Sequence, residues 1–580
     1  MTSNPLTSNP LTSNPLTNNP LTNNPRNPLT ELPRTDTPPT AVGRDRPASA
    51  PPRETGSTPR RRRATGTLVA ASAAVMVAQI ANALPGALNG VFQETFSTVV
   101  SQLTWITAAF MIPVVVFELT FGVLGDRFGH RRMVVGGTVL VAAGSLVAMF
   151  ASTIQMMWVA SAINGLGAGA IFPASLALVA SVATTVPERV RGIAVWAGFL
   201  SAGSAVSPLL GGVLADLGWW QGSYLVVVVV SILAAGLTVV LAADSPRHPD
   251  RRGDMWGQIT FAVGLIAVLY GLVQGPEVGW EARPVVTTLA VGSVLLVAFV
   301  VIESRVRNPL LDLTLFRNRH FSVSSLVAVV GMFAFLGACY STSMWLGPVQ
   351  HQSPLYTGLM FLLLQGPAFV LIPVISRLQM RIPSHLLLTV GFVSMAAGAF
   401  LASTNDVMSQ SVSQFVLPCL LVGIGFAFTL SPMSAVAVNS VPREQTGTAS
   451  AVTNLLRDLG FALGPVLVGA IALSTAGTQL MNGLQSSGLA PADMGPAMGI
   501  AQAGGPIALN SIPAGAPGSV AHPIALESLG SGFAHAYVVV GVAAVAAAIL
   551  SFAGLRPGAI REEIVEPNTG GFPATGVPAA

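Results

Sequence analysis

Charge is what this chain has least of. Asp, Glu, Lys and Arg make up 9% of its 580 residues, against about a quarter in an ordinary soluble domain. A soluble molecule so poor in charge could not cover its own surface. Lysine is absent: all 28 basic residues are arginine, which GC-rich codon usage accounts for. Cysteine is nearly absent, and Cys339 and Cys419 both sit inside apolar runs. Two such residues are too few for a disulfide framework or a metal site, and they read as small buried apolar side chains. The seven histidines show no metal-ligand spacing. No phosphate-binding Gly-Lys-Ser loop occurs, so ATP is not the expected energy source. No residues support an enzyme, and no cofactor is implied. The net charge of +4 does not point to nucleic acid.

What is present is apolar length. Fourteen apolar segments lie near 67–88, 105–121, 134–151, 157–183, 192–214, 223–242, 256–273, 285–303, 321–346, 356–376, 385–402, 414–437, 447–475 and 533–554. Each is close to the ~20 residues that a helix needs to cross a bilayer. Residues 1–63 differ. They repeat Asn-Pro-Leu-Thr-Ser, with Ser drifting to Asn, and carry no apolar periodicity. Such a composition predicts a disordered tail, with its apolar core too late for a signal peptide. The tail ends in Arg60, Arg61, Arg62 and Arg63, a cluster that holds the N-terminus in the cytoplasm.

The loops test the count. Alternating from an inside N-terminus puts seventeen arginines in inside loops and the C-terminal tail, and Arg283 alone outside. One miscounted helix would invert every later loop and destroy this asymmetry. The expectation is therefore a multi-pass plasma-membrane protein with fourteen helices and both termini cytoplasmic. The outside loop 476–531 is rich in Gly, Ala, Pro and Ser and has no arginine. Disorder is its first reading, with a hairpin or lid as alternatives. The inside segment 304–320 is polar and is expected to carry a short surface helix.

Two stretches have a mechanical look. The loop after the second segment reads Gly122-Val-Leu-Gly-Asp126-Arg127-Phe-Gly129-His130-Arg131-Arg132. Its glycines suit a tight turn between closely packed helices, and one acid among four bases suits an ionic latch. A plain basic loop with turn glycines is the simpler reading. In the fifth segment, Gly203, Ser207 and Gly211 recur at i, i+4 and i+8. Small residues there share one helix face for close packing, and Pro208 would bend the helix.

Here the sequence resembles the major facilitator superfamily. The first stretch matches that family's Gly-x-Leu-x-Asp-Arg-x-Gly-Arg-Arg-Arg loop, with His130 in place of one arginine. The second, Gly203 to Gly211-Gly212, is similar to the fifth-helix signature of its antiporters, with Ser207 at a usual glycine. Asn308-Pro-Leu-Leu-Asp312 through Phe321, and Val441-Pro442-Arg-Glu444 through Asn454, Arg457, Asp458 and Gly460, resemble the fourteen-helix drug:proton antiporters. The resemblance implies an all-α integral membrane protein with the major facilitator fold: two six-helix bundles around a cavity, plus two extra central helices, working by alternating access. It divides the chain into a tail over 1–63, bundles over 64–243 and 321–555, extra helices and a linker over 244–320, and a tail over 556–580. It also implies that Asp126 sits near the start of helix 13 and favours one state of the gate.

The chain departs from the family where the antiporters carry charge. Met76 stands at the usual helix-1 aspartate, Ser161 at the helix-4 arginine, and Trp220-Gln221-Gly222 replaces an aromatic-Arg-aromatic motif. Inside the membrane there remain Glu118 in helix 2, and Arg457 and Asp458 in helix 13. A charge at mid-bilayer costs about 2.5–3.5 kcal/mol on insertion scales, so these groups are expected to face a cavity or a partner. Glu118 reads either as a proton-carrying carboxylate or as a permanently neutral structural one. Arg457 with Asp458 reads either as an anchoring ion pair or as part of the substrate and proton machinery. Ser72, Gln79, Asn82 and Gly86 form one stripe on helix 1. Asn164, Tyr340, Gln365 and Asn454 could join it around the cavity, or serve as interhelical hydrogen bonds. Few aromatics occur, and no aromatic cage for cations is evident.

The leading function is export of lipophilic, often cationic, small molecules by proton antiport, in a protein expected to be monomeric. The alternatives are a lipid or lipophilic-metabolite exporter without strict proton coupling, and a non-transporting scaffold or sensor. The expected partners are the bilayer, the lipophilic substrate and protons.

Overall fold

A computed structural model describes residues 57–183, 185–244, 254–306, 309–441 and 446–556. All regular structure among them is helical. In lipid each backbone N–H and C=O must be satisfied within the segment, which apolar runs of this length do by forming helices. The first half contains α1 (Ser57–Ala83), α2 (Asn89–Phe96), α3 (Val100–Phe128), α4 (His130–Met149), α5 (Ile154–Val182), α6 (Val186–Asp216) and α7 (Gln221–Leu241). The extra pair is α8 (Met255–Val278) and α9 (Arg283–Glu303). The second half contains α10 (Arg319–Met344), α11 (Pro354–Val370), α12 (Ile372–Gln379), α13 (Ser384–Ala402), α14 (Val416–Asn439), α15 (Thr446–Ser486), α16 (Pro491–Asn510) and α17 (His522–Ile549).

Among the described residues, thirteen helices are long and apolar enough to cross a membrane, and the α11–α12 pair, bent by 44°, makes the fourteenth. Pro373 at the start of α12 cannot donate to the preceding turn and clashes with it, which accounts for the bend. Within each half the helices pack on one another, and the halves meet chiefly along α6 against α11 and α3 against α15. Helix α8 packs on α9 and also lies against both α3 and α15. The molecule is a multi-pass membrane protein.

Two details differ from the sequence expectation. Helix α1 begins at Ser57, so Arg60 to Arg63 belong to a helix and not to the tail; arginine is a good helix former and needs no burial to continue one. The rest of the tail, and Arg247, Arg251, Arg252, Arg307, Arg443 and Arg561, lie outside the described residues. The second concerns segment 476–531, which is folded. Helix α15 runs for 41 residues, about twice the length that a bilayer core requires. Its end, α16 and the start of α17 form a cap with its own apolar core of Leu480, Leu484, Ala497, Leu509, Ala521 and Ala525. The many small residues let these few large ones meet. In the linker 304–320, a short 3-10 turn spans Leu313–Arg317, and the Asn318 side chain caps α10 through the N–H groups of His320 and Phe321.

Candidate functional site

A cavity, part of it open, lies between the two halves. The first half contributes α1, α3, α5 and α6, and the second contributes α10, α11, α14 and α15. Gln79, Asn82, Tyr340, Gln365 and Asn454 line it. The helix-1 stripe thus faces the cavity through Gln79, Asn82 and Gly86, and Ser72 is buried. Asn164 is placed elsewhere. Its Oδ1 accepts from the Ser145 hydroxyl at 3.3 Å, at the packed face between α4 and α5. A hydroxyl on the neighbouring helix satisfies an amide there as well as a cavity would.

The cavity is more aromatic than the composition led one to expect. Phe335 and Phe426 stack with ring centroids 3.6 Å apart and planes 9° from parallel, and Phe461 lies 6.4 Å from Phe335. Phe172, Trp196 and Phe361 complete the apolar lining. These rings come from helices far apart in sequence, so no local pattern announces them. Ser201, Ser204 and Thr107 add hydroxyls that sequence reasoning also missed.

Glu118, Arg457 and Asp458 meet in one wall of this cavity. Glu118 and Asp458 are each only 5% exposed and line the same cavity. Arg457 Nε lies 3.5 Å from Asp458 Oδ1. Glu118 Oε2 is buried with no donor among the described residues. The arrangement is two carboxyls and one guanidinium in a low-dielectric wall that opens onto the aromatic pocket. Glu118 stands ten residues from the end of α3 at Phe128, roughly 15 Å along the helix.

The glycine-rich motifs divide between two tasks. On α6, Gly203 lies against the Met76 carbonyl, the Ser207 hydroxyl donates to the Ile80 carbonyl at 2.6 Å, and Gly211 lies against Leu84. These three turns of α6 therefore meet the last two turns of α1 and the 3-10 turn that follows it. Pro208 and Gly212, on the neighbouring face, press on Gly358 and Pro354 of α11 in the other half. In the arginine-rich loop, Gly129 terminates α3 at φ 100°, a conformation that suits glycine. Asp126 Oδ1 lies 3.4 Å from His130 Nε2, and Arg131 pairs with Asp244 at 3.1 Å, tying the loop to the end of α7. Gly122 faces open space, so no close helix approach occurs there. The start of helix 13, to which the resemblance sends Asp126, lies partly outside the described residues.

The two ends of the cavity differ. At the arginine-poor end the halves are pinned together. Asn89 Nδ2 donates to Ser343 Oγ at 2.8 Å, the Ser343 hydroxyl donates to the Gly86 carbonyl, and the Ser353 hydroxyl donates to Asp216. Gly90 and Gly347 touch so closely that a Cβ on Gly90 would fall 3.0 Å from the Gly347 Cα. The cap adds a bond to each half: Gln93 Nε2 to Ser511 Oγ and Asn510 Nδ2 to the Val349 carbonyl, each 2.9 Å. Toward the arginine-rich end, Gly122 and Gly198 meet nothing within 4 Å.

Comparison with known proteins agrees with this architecture. Residues 70–465 match the family model for the Major Facilitator Superfamily. The chain is 30% identical over 379 residues to the multidrug resistance protein Stp of Mycobacterium tuberculosis, covering 65% of this chain and 70% of that one. It is 26% identical over 493 residues to the tetracenomycin C resistance and export protein of Streptomyces glaucescens, covering 84% and 91%. Among solved structures, a bacterial homologue of the human lysosomal transporter Spinster, in an inward-facing and unoccupied conformation, superposes with a TM-score of 0.57 at 16% identity, covering 86% of this chain and 98% of that one. The POT family transporter PepTSo superposes with a TM-score of 0.56 at 15% identity, covering 85% and 99%. These two likenesses carry the fold. With a matched model spanning most of the helices and a cavity between two halves, the chain belongs to the Major Facilitator Superfamily, a family of membrane transporters and not of enzymes.

Proposed function

We propose that this protein exports lipophilic small molecules, drugs among them, across the plasma membrane in exchange for protons, acting as a monomer. The observation that carries the reading is the Glu118–Asp458–Arg457 cluster in the wall of an aromatic cavity. Two carboxylates beside one guanidinium leave one negative charge in excess, and a buried site tolerates such an excess poorly. One proton balances the cluster, and so does one cationic substrate. Competition between the two is an exchange mechanism with one proton per cationic substrate. The stacked Phe335 and Phe426 offer a planar, electron-rich surface to a flat or cationic guest. Several relatives are named for drug resistance or export, which supports the substrate class. The excess of arginine in alternate loops supports reading the arginine-rich end and both termini as cytoplasmic. With that orientation the hydrogen bonds between the halves at the arginine-poor end close the outside of the cavity.

Full-length protein in liposomes, loaded with a lipophilic cationic dye under an imposed proton gradient, tests this reading. Dye export that stops when a protonophore collapses the gradient is the expected result. Export that continues at full rate would favour the second reading, a lipid or lipophilic-metabolite exporter without strict proton coupling. Met76 and Ser161 motivate that alternative, because they leave helix 1 and helix 4 without the charges that antiporters usually carry.

A further inference from the structure

The extra helix pair has no part in the cavity lining, yet one of its side chains reaches the back of the charge cluster. Helix α8 turns an apolar face outward, where Trp256 is 71% and Ile259 45% exposed. Gln258 lies between them in sequence but points the other way and is half-buried. Both partners of its amide are on α3. Its Nε2 donates to the Val116 carbonyl, and its Oε1 accepts from the Thr120 hydroxyl. These two residues flank Glu118 by two positions on either side. Residues 116 and 120 share a helix face, whereas 118 stands about 200° around the helix from 116. Gln258 therefore grips the back of the same turn whose front presents Glu118 to the cavity.

Helix α8 also covers the seam between α3 and α15, and α15 carries Arg457 and Asp458. It packs comparably on the two helices, but the hydrogen bonds of the α8 region to the two halves are unequal. Besides the Gln258 bonds, Glu277 Oε2 accepts from the Ser101 hydroxyl of α3 at 2.6 Å. Among the described residues the second half receives one hydrogen bond, from Trp280 Nε1 in the turn after α8 to Ser474 Oγ at 3.2 Å, and that one is exposed. We infer that Gln258 is a positioning residue for Glu118, and that the extra pair moves with the first half. When the halves rock, the Glu118 turn stays fixed to α8 while Asp458 shifts past it. The protonation of the cluster thereby follows the conformational state. This inference rests on the proton-exchange reading above.

The test is proton release from the full-length protein in detergent on addition of ethidium, followed with a pH-sensitive dye across a range of starting pH. Wild type should release protons with a defined pH midpoint, and Glu118→Gln should release none. Gln258→Leu should displace that midpoint by up to about one pH unit, the size expected from two lost interhelical hydrogen bonds in a membrane. Thr120→Val, nearly isosteric, should displace it in the same sense by less, and it carries the test if Gln258→Leu fails to fold. An unmoved midpoint in both variants, with Glu118→Gln silent, would overturn the positioning role and leave the exchange reading standing. No proton release from wild type would overturn both.

Discussion

Phe335 and Phe426 show what a single side chain contributes here. Each sits in an apolar stretch of its helix, and only the fold stacks them. An aromatic contact in such a site is worth about 0.5–1.5 kcal/mol, or roughly twofold to tenfold in affinity. Phe335→Ala and Phe426→Ala should therefore raise the KM for planar aromatic dyes by that factor and leave the maximal rate less affected. Initial efflux rates against dye concentration check this, and an unchanged KM in both variants would remove the pair from the substrate path. Residues of this kind are the hardest to read from sequence. Gln79 and Asn82 were legible because a polar stripe on an apolar helix must face inward. Glu118, Arg457 and Asp458 were legible because charge in a membrane needs a partner. Asn164 obeyed the same rule but found its partner on the next helix. Nothing in the composition distinguishes that outcome from a place in the cavity.

At the scale of elements, the Gly203–Gly212 motif of α6 is a packing device. Gly203 meets a backbone carbonyl of α1, so no side chain can be added there without separating the two helices. Gly203→Leu should abolish the folded protein, seen as loss of the monodisperse peak in detergent size-exclusion chromatography. Ser207→Ala removes only the bond to Ile80 and should cost about 0.5–1.5 kcal/mol, read as a modest fall in the unfolding temperature. Equal behaviour of the two variants would contradict this division of labour. Element positions were the most legible feature, because apolar length and loop arginines are each recorded locally. The cap was the least legible. Its core rests on a few large residues scattered through Gly-, Ala- and Pro-rich sequence, and its closure depends on partners at Gln93 and Val349, more than a hundred residues away.

At the scale of the whole molecule, the account is of two halves that pivot around a cavity already closed at one end. Asn89 and Ser343 hold that end together from opposite halves. An Asn89→Cys, Ser343→Cys pair should form a disulfide that stops turnover, with activity restored by a reductant. The native Cys339 and Cys419 are both buried and should not interfere. Full turnover of the cross-linked protein would mean that this end never opens. The central claim is that Glu118 exchanges a proton for substrate, and one comparison tests it most directly: proton-gradient-driven dye efflux in liposomes by wild type and by Glu118→Gln, with dye binding measured on the same preparations. The account predicts that the variant binds dye and remains folded but shows no gradient-driven efflux. Normal gradient-driven efflux by Glu118→Gln would contradict it.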